Sequence, residues 1–201
     1  LGRYYQFNRQ MPDSAVYFYR QAIKMNPYIG YLYRRVAEVQ NSTGDFESAM
    51  NSSLQAIELD PSDAFAYSTL AFSYEKQQLN ELALENFDKA IELAPSQAGF
   101  AVDKGYHLYR IGKYQEAFDV LQKSNVRNAY TTQVMAESCL ILGKLADANT
   151  LITESLSFEV NNPWSNYAMA RTQAALNQSS GALNYLEKAL QNGLNRNVVV
   201  N

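Results

Sequence analysis

The 201-residue sequence holds one cysteine, Cys139, one histidine, His107, and no excess of basic residues. A lone cysteine closes no internal disulfide, so no oxidised framework holds the chain together and the redox compartment stays open. The histidine has no ligand partner at helical spacing. Arg110 and Ile111 follow it, and only Asp103 stands one turn before it. One carboxylate and one imidazole do not make a metal site. Lys and Arg number 17 against 20 Asp and Glu, a formal charge of −3. That balance argues against nucleic acid or an anionic membrane as a general partner. No apolar run reaches the roughly 18 residues that a membrane span needs. Gly-rich phosphate loops, His-Glu-x-x-His and Gly-x-Ser-x-Gly are also missing. The carboxylate pairs Asp45/Glu47 and Glu81/Glu85 stand at expected helix starts, where acids cap the first turn and complement its dipole. Cys139 falls in an apolar slot without the basic setting a catalytic thiol needs. The sequence therefore predicts no enzyme, no cofactor and no metal.

What is present is a folded, repetitive chain. Apolar residues make up 47% and charged ones 18%, enough to build a core. Asn26-Pro27, Asp60-Pro61 and Ala94-Pro95 recur every 34 residues, each after the same kind of segment: QAIKMN, QAIELD and KAIELA. Proline disfavours helix in the residue before it, so each marks a stop and a restart. Midway through the period comes a turn with glycine at Gly44, Gly112 and Gly143, placed where a left-handed C-cap ends one helix before the next. Between these marks apolar residues step at helical spacing: Tyr67, Leu70, Ala71 and Tyr74, then Ala83, Phe87 and Ala90. Each period thus encodes two amphipathic helices of roughly 13 residues. Small residues at 71, 83 and 90 allow close helix crossings, and larger ones plug the gaps.

The pattern Tyr67-x2-Leu70-Ala71-x2-Tyr74, Ala83-x3-Phe87-x2-Ala90, Pro95 resembles the tetratricopeptide repeat, with Tyr for its first Trp and Ala for its Gly. The resemblance covers nearly the whole chain, as about five full repeats after a partial first one: 1–27 (partial), 28–61, 62–95, 96–126, 127–160 and 161–194, with a tail at 195–201. It implies an all-α, right-handed solenoid of stacked antiparallel helix hairpins. In the fourth unit Ser124 replaces a small Ala and no proline follows, so its second helix reads as clipped, with the next starting near Ala129. The first unit opens with Leu1-Gly2-x2-Tyr5 inside a first helix and has a turn lengthened over Asn8 to Pro12. The chain closes on Asn197-Val198-Val199-Val200-Asn201 rather than a polar capping helix. Solenoids need polar caps, so the sequence reads as a piece of a longer protein.

In this family the first helix of each hairpin lines a concave groove. Carried over residue by residue, the resemblance implies that the groove includes Tyr31, Arg34, Glu38 and Asn41, then Phe65, Phe72, Glu75 and Lys76. It continues with Val102, Tyr106, Tyr109 and Arg110, then Tyr130, Gln133 and Glu137, then Trp164, Tyr167 and Arg171. Tyr, Trp and Arg carry most interface energy, each pairing large rigid area with a polar handle. The expected partner-binding residues are Tyr31, Arg34, Phe65, Phe72, Tyr106, Tyr109, Arg110, Tyr130, Trp164, Tyr167 and Arg171. A carboxylate-gripping clamp of the family would need Lys/Asn pairs where this chain has Arg34/Glu38, Ser68/Phe72, Val102/Tyr106, Gln133/Glu137 and Tyr167/Arg171. An asparagine ladder would replace Arg35, Thr69, Asp103, Val134 and Ala168. Both devices are absent. The resemblance implies a non-catalytic scaffold that binds a segment of another protein. Alternatives are a scaffold in bacterial exopolysaccharide secretion or envelope assembly, with polysaccharide as a possible ligand, or the recruiting arm of an enzyme. Low charge and frequent Asn, Gln, Ser and Tyr suit a periplasmic or envelope location.

Overall fold

The computed structural model describes residues 12–195, and side chains from Ser14. The expectations at Leu1, Gly2, Tyr5, Asn8 and the 197–201 tail lie outside the described residues. Two compact units divide the chain, Leu1–Phe100 and Ala101–Asn201. The first contains α1 (Pro12–Met25), α2 (Gly30–Thr43), α3 (Phe46–Leu59), α4 (Ala64–Lys76) and α5 (Asn80–Leu93). The boundary passes through α6 (Ala98–Arg110). The second unit continues with α7 (Tyr114–Ser124), α8 (Ala129–Ile141), α9 (Leu145–Phe158), α10 (Pro163–Ala175) and α11 (Ser179–Gln191). The described residues contain no strand. Helices α1 to α5 pack consecutively in the first unit and α7 to α11 in the second, and the first helices of successive hairpins also touch, α2 on α4 and α8 on α10. This is an all-α solenoid of stacked hairpins. No described helix is long and apolar enough to cross a membrane.

Local chemistry sets the boundaries. Asp45, Asp63, Asn128 and Asn162 each accept backbone N–H bonds at a helix start, and Pro163 opens α10 where its missing N–H costs nothing. Asp60 and Ala94, ahead of Pro61 and Pro95, leave the helical region with ψ of 88° and 70°. Gly44, Gly112 and Gly143 take φ of 83°, 81° and 75°, as the left-handed caps require. Where the hairpin turn has no glycine, Gln78 and Asn177 adopt the same hand at 61° and 59°. Asparagine tolerates that conformation better than glutamine. The short α7 has a side-chain cause: the Ser124 hydroxyl donates to the Leu121 carbonyl at 2.7 Å and accepts from the Val126 amide. That local competition stops the helix at 11 residues, with Asn125 left-handed behind it, against 14 residues in α3.

The core alternates small and large residues. In the first unit Ala71, Ala83 and Phe87 form one cluster with Tyr74 against it, and Ala64, Ala90 and Phe100 another. In the second, Leu121, Val134 and Met135 pack with Val102, Tyr106 and Tyr109, while Ala136, Ile152, Ala168 and Met169 pack with Leu151 and Tyr185. Gly105 shows how tight the crossings are. A Cβ there would lie 2.4 Å from Leu121 Cδ2 and 2.5 Å from Cγ, and Leu121 is wholly buried. Gly105→Ala is expected to cost about 1–3 kcal/mol by overpacking. Trimming the obstacle should recover part of the loss, so Leu121→Val is expected to be less harmful on that background than on the wild type. Urea unfolding of the four chains measures the coupling; simple additivity would mean the two sites do not meet.

Candidate functional site

Helices α2 and α4 position the aromatic and charged candidates of the first unit. Arg34 is the hub. Its Nε donates to Asp63 Oδ2 at 2.8 Å, across the gap to the start of α4, and its Nη1 donates to Glu38 Oε1 at 2.5 Å. Its guanidinium carbon lies 5.0 Å from the centre of the Tyr31 ring and 5.4 Å from that of Phe65. The cation is thereby shared between two rings, each contact contributing on the order of 0.5–1 kcal/mol. Arg35 joins the same carboxylate, Nη1 to Glu38 Oε2 at 2.5 Å, and also lies over Tyr31. Burial works against the Arg35 charge, but the Tyr19 hydrogen bond and the Glu38 charge outweigh it and raise the pKa. Phe65 meets Phe100 edge to face at 5.1 Å, and Lys76 Nζ lies 4.7 Å above Phe72. Two arginines thus face Glu38 and Asp63, leaving little net charge, while Tyr31, Phe65 and Phe72 stay exposed.

The second unit gathers tyrosines. Tyr106 meets Tyr130 at 4.6 Å between ring centres and shares a 2.9 Å hydroxyl bond with Thr131. Tyr109 lies against Tyr114 and donates its hydroxyl to Glu137 Oε2, whose Oε1 accepts from Gln133 Nε2 at 3.0 Å. Burial raises the phenol pKa of Tyr106, opposed by its Thr131 bond. Burial, then the bond to Glu137 and that residue's charge, raises that of Tyr109 well above the ordinary tyrosine value. Arg171 lies over Tyr167 at 5.8 Å, and its charge is felt at Tyr109. Tyr130 and Trp164 are exposed among the aromatic candidates, and Arg110 is exposed at the end of α6.

The structure therefore brings together Tyr31, Arg34 and Phe65 in one unit, and Tyr106, Tyr109 and Tyr130 in the other. Tyr106 and Tyr109 are half-buried and partly belong to the core cluster around Leu121. Two residues at inner positions prove to be packing residues. Asn41 is buried, donating to the Thr69 carbonyl and accepting from the Ser73 hydroxyl, and Gln133 is 7% exposed against Glu137. Asp63, Tyr114 and Thr131 complete the clusters and were not signalled by repeat position alone. His107 and Cys139 are buried, and burial first, then the charge of Asp147, pushes the Cys139 thiol up to about 11. Such a thiol is unreactive near neutrality. Asp45 caps α3, while Glu47 and Glu81 lie in first turns. Among the described residues no three His, Cys, Asp or Glu side chains could hold a metal ion together.

An all-α repeat solenoid with aromatic and compensated ionic clusters on its first helices defines the class. Family models of the tetratricopeptide repeat match residues 31–63 and 69–128. The structure is similar to YrrB, a tetratricopeptide-repeat protein, at 20% identity and a TM-score of 0.76 over 90% of this chain and 95% of that one. It is similar to Pseudomonas aeruginosa PilF at 24% identity and a TM-score of 0.74, covering 84% and 78% of the two chains. MamA of Desulfovibrio magneticus RS-1 gives 16% identity and a TM-score of 0.75, covering 81% and 93%. At these identities the likeness concerns the fold. No curated protein matches at a significant level. Tetratricopeptide repeats are thus present in residues 31–63 and 69–128.

Proposed function

We propose that the chain is a non-catalytic protein-interaction scaffold that holds a partner segment along the first helices of its hairpins. One observation carries this reading: the exposed aromatics of the hairpins concentrate there. Tyr31, Phe65, Phe72, Tyr130 and Trp164 are 38–56% exposed on first helices, whereas the second helices expose two rings, Tyr17 and Phe158, beside leucines such as Leu54, Leu82 and Leu183. Exposed rings backed by fixed cations or ring edges lose little entropy on binding, which favours recognition. The internal compensation of Arg34 by Glu38 and Asp63 disfavours a strongly charged tail. A tyrosine- and proline-rich or zwitterionic segment suits the surface better. YrrB, of similar fold, has a peptide-binding site described as unusual; a peptide ligand is accordingly the first to test here.

Peptides selected from a displayed random library are titrated while the emission of Trp164, the single tryptophan, is followed. Extended aromatic or proline-rich peptides are expected to bind. Phe65→Ala and Tyr130→Ala are expected to weaken the peptides that contact their respective units by about 30-fold or more, as for an interface hot spot. A response to oligosaccharides with none to peptides would favour the envelope alternative. Selected peptides indifferent to all five exposed rings would remove the proposed surface.

A further inference from the structure

The second unit also holds a cavity of about 410 Å³ that uses none of the aromatic candidates. Its walls come from α9, the start of α10, and α11. Leu156, Val160 and Tyr185 supply apolar surface; Asn161, Gln191 and Asn192 bring exposed amides to it. Asn166, also lining it, is 1% exposed and pinned by two bonds from its Nδ2, to the Val160 and Asn162 carbonyls at 3.0 and 2.9 Å. The hydroxyls of Thr153 and Ser157 already donate to the Asn149 and Glu154 carbonyls, so they meet a ligand as acceptors. No carboxylate lines the cavity. Its one charge is Lys188, whose Nζ lies 5.0 Å above the Tyr185 ring.

Charge alone suggests an anion site, but the backbone opposes it. Helices α9 and α11 both end beside the cavity, at Phe158 and Gln191. Each helix C-terminus carries roughly half a negative charge and the α10 start roughly half a positive one, so the ammonium is offset to about half a charge. Selection then falls to hydrogen bonding. Each side-chain amide offers a donor pair next to an acceptor, which matches neighbouring hydroxyls, and an apolar wall suits the C–H face of a ring. We propose that this cavity binds a neutral, polyhydroxylated ring of monosaccharide size. Its volume stands near the lower end of the ordinary range for small-ligand sites, with room for one or two rings and not for a long glycan.

Saturation-transfer NMR on the full chain, with methyl glucoside and N-acetylglucosamine as probes and glucuronate as the charged control, tests this. Both neutral probes are expected to bind weakly, and Asn161→Ala/Gln191→Ala to reduce affinity about tenfold or more. Tyr130→Ala, on the other surface, is expected to leave it unchanged, which separates this site from the partner surface. Circular dichroism checks the variants; if the double variant loses helix, the single variant Asn161→Ala, which removes one amide at an exposed position, is expected to weaken both neutral sugars. No signal from either neutral probe, binding of glucuronate alone, or full retention of affinity in the folded variants would each overturn the proposal.

Discussion

Phe87→Ala is expected to lower the free energy of unfolding by about 3–5 kcal/mol, the range for removing a buried aromatic ring. The ring is 2% exposed, and its cluster partners Ala71 and Ala83 are wholly buried. The cost of such a truncation depends on how far the surroundings collapse into the space left. Alanines have no side chain to swing inward, and the larger Tyr74 is only partly buried against the cluster. The cavity should therefore persist, which places the loss toward the upper part of the range. Phe87→Leu keeps most of the volume and is expected to cost less than half as much. Urea unfolding followed by circular dichroism reports both values. In a repeat array each hairpin interacts mainly with its neighbours, so hydrogen exchange should rise first in α4 and α5. A loss below about 1 kcal/mol would mean that the crossing rearranges around the missing ring.

The fold was legible because its determinants are local and repeated. Pro61 and Pro95 end helices, Gly44, Gly112 and Gly143 take left-handed turns, and the alanines at 37, 49, 56, 71, 83 and 90 are all wholly buried. Even the clipped α7 could be read, from Ser124 and the missing proline. What repeat position does not encode is reach. Asn41 lies at an inner position, yet its amide extends across to Thr69 and Ser73 on the next hairpin and becomes packing. Tyr106 likewise carries a ring that belongs partly to the core and a hydroxyl engaged by Thr131. Helical phase says which way a side chain sets out, while its end point depends on the neighbour's sequence. Phe65, Tyr130 and Trp164 were easier because they fall in the first turns of their helices, where the rings remain 47–56% exposed.

Asp63 combines two functions that local sequence cannot show together, and its substitution separates them. Oδ1 accepts the Phe65 and Ala66 amides at 3.0 and 3.3 Å, while Oδ2 accepts Arg34 Nε at 2.8 Å from the preceding hairpin. The carboxylate thus starts α4 and ties it to α2. Losing an N-cap costs about 1 kcal/mol, and losing a charged hydrogen bond about 1.5–3 kcal/mol. With Arg34 and Asp63 side chains 12% and 13% exposed, solvent does little to replace the bond. Asp63→Ala is therefore expected to destabilise by about 2–4 kcal/mol. Asp63→Asn preserves the capping oxygen and removes the charge, so its cost should be smaller by about the capping contribution. Glu38 still holds Arg34 in either variant, which limits the loss to the link between hairpins. On an Arg34→Met background the Asn substitution should become nearly neutral, because the charge it removes no longer has a partner, whereas the Ala substitution should retain its capping cost. Equal penalties for Ala and Asn on that background would show that Oδ1 contributes nothing to the start of α4. A full Asn penalty there would show that the ion pair does not join these two helices.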